Sequence, residues 1–342
     1  MTETAVSEII MELTADAGPS GAEEPAALRA MELLEDYAAV RTDSMGSVIA
    51  ELGDEDAAEH ILLDAHMDEI GMVVTSIDDD GFLRVCRCGG VDRRVLPGSE
   101  VCVYGRKPLF GIIGFVPSCI SSAETDKAPE WEEVFVDVGL PASEVRELVP
   151  LGSRIIIRKN VSMLRGGRIT GRALDNRAGA AALIRCVQLL DGEKLPCRLT
   201  VLLSSREEIG GQGAKCAAFD AEPTQAIAVD VGFANQPGAP RDKCGDLGKG
   251  PMIGFYPVLS RRITERLCEL ADENAIPWQY DVGGSSSGTN ADEIAVSRSG
   301  VMCGLLSIPQ RNMHTQVEIC DCEDIENTAR LLAKYVLSCG AE

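Results

Sequence analysis

The chain has 342 residues, enough for a full core and for two domains. Its formal net charge of −22 argues against binding a nucleic-acid backbone or an anionic membrane. Hydrophobic residues make up 45% but aromatics only 4%, so the core must be aliphatic, and no apolar run approaches the ~18 residues of a membrane span.

Residues 4–17 read as an amphipathic helix, with Val6, Ile9, Ile10 and Leu13 at helical spacing. Gly18-Pro19-Ser20-Gly21 breaks it, and Glu23-Glu24-Pro25 opens a second helix that runs to about Asp36. The opening Met1-Thr2-Glu3-Thr4 lacks the basic and apolar regions of a signal peptide, and the thirteen cysteines show no disulfide-like spacing. Reduced core thiols in a cytoplasmic protein are expected. A turn at Asp43–Ser47 leads into a strand at Val48–Ala50, and His60 is expected on the surface with no special role. The run Ile61-Leu62-Leu63-Asp64-Ala65-His66-Met67-Asp68 then ends an aliphatic strand in polar groups. A buried parallel strand delivers such groups to the carboxyl edge of a sheet, where open α/β folds bind ligands.

From about Gly71 to Lys159 short β-like runs recur between Gly and Pro, at Met72–Ile77, Phe82–Arg87, Glu100–Tyr104, Phe110–Val116, Val134–Val138 and Arg154–Arg158. That pattern reads as a small all-β module. A polar loop, Ser118–Glu133, interrupts it and suits a mobile or interface segment. After Gly166-Gly167, strands at Leu199–Ser204, Ala226–Val231, Trp278–Val282 and Gly304–Ile308 alternate with helices near Asn176–Leu190, Gly213–Phe219, Arg261–Ala275 and Asp324–Leu337. The expected fold is therefore α/β, a mixed and mostly parallel sheet with helices on both faces, carrying an inserted β domain. Residues 1–70 and 161–342 would form the discontinuous main domain and 71–160 the insertion.

The chain has only three histidines, and the placing of one of them, His66, at a strand end singles it out. Asp68 could accept one ring N–H and leave the other nitrogen for a metal. Later segments end the same way: Asp175 ahead of a helix, Glu207-Glu208 after a strand, Asp230 at the end of Ala226–Val229, and His314 after Leu305–Pro309. Singly each has an ordinary account, such as a helix cap or a turn residue. Together they place two His and several carboxylates at one sheet edge, a ligand set for a pair of divalent ions. One of the adjacent glutamates could bind metal while the other acts on a water.

The segments PSGAEE, DSMGSV, LLDAHMDEIG, VDRRVLPG, GRALDNRAG, REEIGGQGA, AIAVDV, LGKGP, SGTNADEI and SIPQRNMHTQVE span almost the whole chain. In their order and spacing the chain resembles the dinuclear metallo-aminopeptidases that form tetrahedral (TET-type) particles, often called glutamyl aminopeptidases or endoglucanases. The resemblance implies one metal on His66, Asp175 and Asp230, and a second on Asp175, Glu208 and His314, with Asp175 bridging. It implies Glu207 as general base, Asp68 as the orienter of His66, and a PDZ-like barrel at residues 71–160 serving assembly and chamber access. The ions would be two divalent metals per subunit, zinc first, with cobalt or manganese as alternatives. Expected partners are short peptides with a free N-terminus and further copies of the chain, from dimer to dodecamer, with no nucleic acid and no membrane. The chain departs from the family pattern at Asn290, where Asp is usual and the substrate pocket is near, at Thr315-Gln316, at Pro117-Ser118-Cys119 and at Arg206. A related amidohydrolase or deacylase and a silent assembly scaffold are the alternative readings. A glycosidase fits poorly, because metal-type His accompany the acids and the chain has two Trp and five Tyr for a sugar cleft.

Overall fold

A computed structural model of the chain describes residues 5–116, 119–120 and 127–339. The strand His60–His66 is buried at every position. Such strands need cover on both faces, and they receive it by lying inside an eight-stranded sheet. Its order is Ala39–Thr42, Val48–Leu52, Arg198–Ser204, His60–His66, Gln225–Phe233, Met302–Gln310, Met252–Phe255 and Gln279–Val282. The four central strands run parallel, so their carboxyl ends emerge together.

One face carries the helices Val6–Ala15, Leu174–Leu189 and Cys322–Leu337, which pack on the sheet through their buried apolar residues, among them Val6, Ile9, Ile10 and Leu13. The other face is covered by Gln212–Ala221 and Asn290–Ala295, with Ala214, Ala217, Ala218, Ala291 and Ile294 in contact with the sheet. Pro25 lies in the first turn of the helix Glu24–Leu34, where a missing N–H costs nothing. The last helix starts at Cys322, two residues before the expected Asp324, because the Asp321 side chain accepts a hydrogen bond from the Glu323 N–H and caps it.

The β region closes into a barrel of Gly71–Ile77, Leu83–Cys88, Phe135–Asp137, Pro108–Gly114, Glu100–Tyr104 and Arg154–Ile157. Six runs were expected there, and six strands form. A short helix, Ala142–Leu148, was not expected. It is seven residues long and buries only Val145 fully, too little to leave a periodic signal. Also unforeseen is a three-stranded sheet of Ser162–Met163, Arg168–Gly171 and Glu318–Asp321. Much of the polar loop expected at 118–133, with Pro117 and Ser118, lies outside the described residues. No helix is long and apolar enough to cross a membrane among the described residues.

His60 is not a surface residue. It is 6% exposed, and its Nε2 lies 2.8 Å from the Thr200 hydroxyl on the neighbouring strand. A polar cross-strand partner lets the imidazole be buried. Arg177 is fully buried as well; its Nε–H donates to the Met67 carbonyl at 2.6 Å and its Nη1 to the Leu13 carbonyl. Burial pushes its pKa down to about 10. It thus ties the end of the first helix to the residue after His66. Gly18 leaves the room for it, since a Cβ there would lie 2.5 Å from Nη2.

Arg177→Met removes the donor for two interior carbonyls. It should lower the unfolding free energy of the metal-free protein by about 3 kcal/mol in urea titration. A loss under about 1 kcal/mol would mean that those carbonyls find other donors.

A candidate metal centre at the sheet edge

Because the central strands are parallel, Ser204 lies in register with His66, and on the next strand Ala228 pairs with Asp64, which puts Asp230, two residues on, level with His66. His66 ends its strand, so Asp68 is already in the following turn. The turn still brings Asp68 back beneath the ring. His66 Nδ1 lies 3.2 Å from the Asp68 carbonyl and 3.3 Å from its carboxylate Oδ1. With Nδ1 as donor, Nε2 faces Asp175 Oδ1 at 3.1 Å, Asp230 Oδ1 at 3.7 Å and Glu207 Oε2 at 4.0 Å.

Asp175 interrupts the start of the helix Leu174–Leu189 with non-helical φ and ψ. Its second oxygen, Oδ2, lies 3.3 Å from His314 Nε2, which is also 3.5 Å from Glu208 Oε1. The far side of the His314 ring donates from Nδ1 to the Gly90 carbonyl at 3.1 Å. Glu207 and Glu208 follow the strand end, and their backbone N–H groups both donate to the Asp68 carboxylate, at 2.9 and 3.3 Å. The Ser20 hydroxyl, from the PSGAEE segment, donates to the same carboxylate at 2.6 Å.

Every residue singled out from the sequence for this site is therefore in it. Two groups have ligand atoms within 4.8 Å of one another: His66, Asp175 and Asp230, and Asp175, Glu208 and His314. No cysteine takes part in such a group among the described residues. Sequence reading missed Glu318. It is buried, and its two oxygens accept from the backbone N–H of Asp175 at 3.1 Å and of His314 at 3.0 Å, fixing both ligands at once. The sequence signal available was an acid four residues after the histidine. Gly90 was also missed and gives no sequence signal, since it acts through its carbonyl. Asn290 does not line the cavity at the site; its amide donates to Asp64 and Ser204, both at 2.9 Å, below the edge.

The electrostatics test whether a cation fits. Burial pushes Glu208 up to about 8, with the nearby Asp175 charge adding to it. Burial also drives Asp230 and Glu318 well above the carboxylate range and raises Glu207. Burial opposes charge on the histidines too, yet the hydrogen bond to Asp175 wins, and His314 is raised to about 9 and His66 well above its usual value. Asp175 is held below the ordinary range: burial works against ionisation, but hydrogen bonds from His314 and His66 outweigh it. The carboxylates thus outnumber the imidazoles, and protons are retained to reduce the repulsion. Divalent cations are the compensation such oxygen and imidazole donors suit.

A mostly parallel sheet whose carboxyl edge presents these donors, with a further glutamate beside them, is an arrangement suited to metal-dependent hydrolysis. The M42 glutamyl aminopeptidase family matches residues 46–331. The chain is 34% identical to a lysyl aminopeptidase of Pyrococcus furiosus over 315 residues, 90% of this chain and 89% of that protein. Its fold superposes on an aminopeptidase of the archaeon Desulfurococcus kamchatkensis with a TM-score of 0.91 at 32% identity, covering 97% and 94% of the two chains. It also superposes on the Pyrococcus horikoshii TET1 peptidase, which can assemble into a tetrahedron or a large octahedral shell, with a TM-score of 0.87 at 30% identity over 97% and 99%. The chain belongs to the M42 glutamyl aminopeptidase family and is a peptidase.

A cation entering this site must displace the protons on Glu208 and His314, held to about 8 and about 9. Zinc affinity in equilibrium dialysis should therefore rise with pH from about 6 to about 9, with proton release on binding. A flat profile would show that other groups take the metal.

Proposed function

We propose that the protein is a dinuclear metal-dependent aminopeptidase that removes N-terminal residues from short peptides with a free N-terminus. The observation that carries this reading is Asp175, which directs one oxygen to each histidine at 3.1 and 3.3 Å and so suits the bridging position between two ions. His66 and Asp230 would complete one ligand set, Glu208 and His314 the other. Two divalent ions there, zinc first and cobalt or manganese as alternatives, would supply Lewis acidity that lowers the pKa of water toward neutrality and polarises a carbonyl.

The chain's own groups do the rest. Asp68 holds His66 with Nε2 facing the site, and the Gly90 carbonyl does the same for His314. Glu207 is the general base. Its carboxylate sits beside the cluster with its pKa raised by burial, so it can take a proton from the attacking water and return it to the leaving amine. Residues 1–70 and 161–342 form the catalytic domain in this reading, and 71–160 the oligomerisation domain that controls access to a chamber. Assembly from dimer to tetrahedral dodecamer and a cytoplasmic location complete the proposal. The assembly of the Pyrococcus horikoshii TET1 peptidase supports that part.

Mass spectrometry of a short-peptide mixture, free and N-acetylated, tests the activity with metal-loaded protein and a chelated control. Stepwise loss of single residues from free peptides alone, abolished by the chelator, is expected. Cleavage of the acetylated members would replace the aminopeptidase by a deacylase, and no cleavage would leave a scaffold. Glu207→Gln should retain both metals by elemental analysis while kcat falls by about 10²–10⁴-fold. A rate near wild type would remove Glu207 as the base.

A further inference from the structure

The cluster opens into a cavity of about 750 Å³. Beyond the candidate ligands and Glu207, the charged side chains on its wall are Asp242, Lys243 and Asp281. Asp242 and Lys243 are adjacent, opposite in sign and both exposed on the 3₁₀ turn Arg241–Lys243, so they largely offset one another. Asp281 differs. It lies in the strand Gln279–Val282, and its carboxylate is fixed at both oxygens: the Tyr256 hydroxyl donates to Oδ1 at 2.8 Å and the Ser307 hydroxyl to Oδ2 at 2.9 Å. Each carboxylate oxygen can accept more than one hydrogen bond, so capacity for a ligand remains.

The sheet register places this carboxylate relative to the candidate metal ligands. Ser307 pairs directly with Asp230 on the neighbouring parallel strand, so both side chains leave the same face. From the Asp230 backbone, one strand spacing of ~4.8 Å leads to Ser307, and one hydrogen bond of 2.9 Å leads from its hydroxyl to Asp281. A peptide held by its α-amine at the cluster therefore has the Asp281 carboxylate within the span of a long N-terminal side chain. Tyr256 and Tyr280 line the same cavity and offer aromatic surface to a methylene stem and attraction to a cation.

We propose that Asp281 gives the site a preference for peptides whose N-terminal residue carries a cationic side chain, lysine or arginine. The proposal rests on the aminopeptidase reading above and specifies its substrate class. An acidic side chain at that place would meet a fixed like charge, and an aliphatic one would take water from the carboxylate without supplying a countercharge. The formal net charge of −22 acts in the same direction by drawing cationic peptides to the protein.

The test uses metal-loaded protein and the p-nitroanilides of lysine, leucine and glutamate. Wild type should cleave the lysine compound with a kcat/KM at least about tenfold above the other two, the effect of one charge-assisted contact. In Asp281→Asn the ratio of lysine to leucine kcat/KM should fall by about tenfold or more. Taking the ratio within one enzyme cancels any loss of folded or metal-loaded protein. Asp281→Lys should turn the preference toward glutamate. A wild-type preference for leucine or glutamate, or an unchanged ratio in Asp281→Asn, overturns the proposal while leaving the aminopeptidase standing. Release of no p-nitroaniline from any compound by protein that carries its metal overturns both.

Discussion

Asp175 gives one carboxylate oxygen to His66 and the other to His314, and much of the surrounding structure serves to keep it there. The carboxylate is almost fully buried, a position that its ionised form reaches only with partners on both sides. Its backbone N–H is taken by Glu318, and the next side chain, Asn176, donates to the Val229 carbonyl beside Asp230 while accepting from the Gly179 N–H. Arg177, one residue further, anchors the same turn to Met67 and Leu13. Three successive residues thus lock the start of this helix to three different elements. A side chain offered from a freely turning loop could not hold two imidazoles at set distances.

The first contact layer was legible in the sequence because parallel strands announce themselves. Ile61–Leu63, Val201–Leu203 and Ala226–Val229 are aliphatic runs, and each is followed toward the sheet's carboxyl edge by a polar group of the site: His66, Glu207-Glu208 and Asp230. The layer behind it was not legible. Glu318 acts on backbone N–H groups and sits in a three-stranded sheet whose short strands leave no alternation to read. His60 precedes an apolar run and follows an acidic turn, which reads as surface; only the pairing with Arg198–Ser204 brings Thr200 opposite its ring. Strand partners are a property of topology, and one strand's sequence does not encode its neighbour.

Asn290 shows how a residue in a loop that borders the cavity can serve the layer beneath it. Its loop does border the cavity, through Gly288 and Thr289, but its own side chain turns inward to Asp64. Asp64 is 1% exposed, and burial pushes it up to about 6, moderated by hydrogen bonds from Ser204 and Asn290. A second carboxylate at position 290 would stand against a buried acid, whereas an amide donates to it. The asparagine belongs to the support under the His66 strand.

The barrel is also part of the site. The turn after its strand Leu83–Cys88 carries Gly89 and Gly90 against the ligand side chains: a Cβ on Gly90 would lie 2.3 Å from His314 Nδ1, and one on Gly89 would lie 3.1 Å from Glu208 Oε2. Gly89 has a φ of +79°, a backbone state that glycine adopts without strain. His314 itself is held at a φ of +62°, where a non-glycine residue needs its surroundings to keep it. Those surroundings are Glu318 on its N–H and the Gly90 carbonyl on its ring. One comes from the main sheet's side of the molecule and the other from the barrel. The orientation of this imidazole therefore depends on how the two parts of the chain seat against each other, and the glycine pair is what lets them come close enough for a backbone carbonyl to do the work of a side chain.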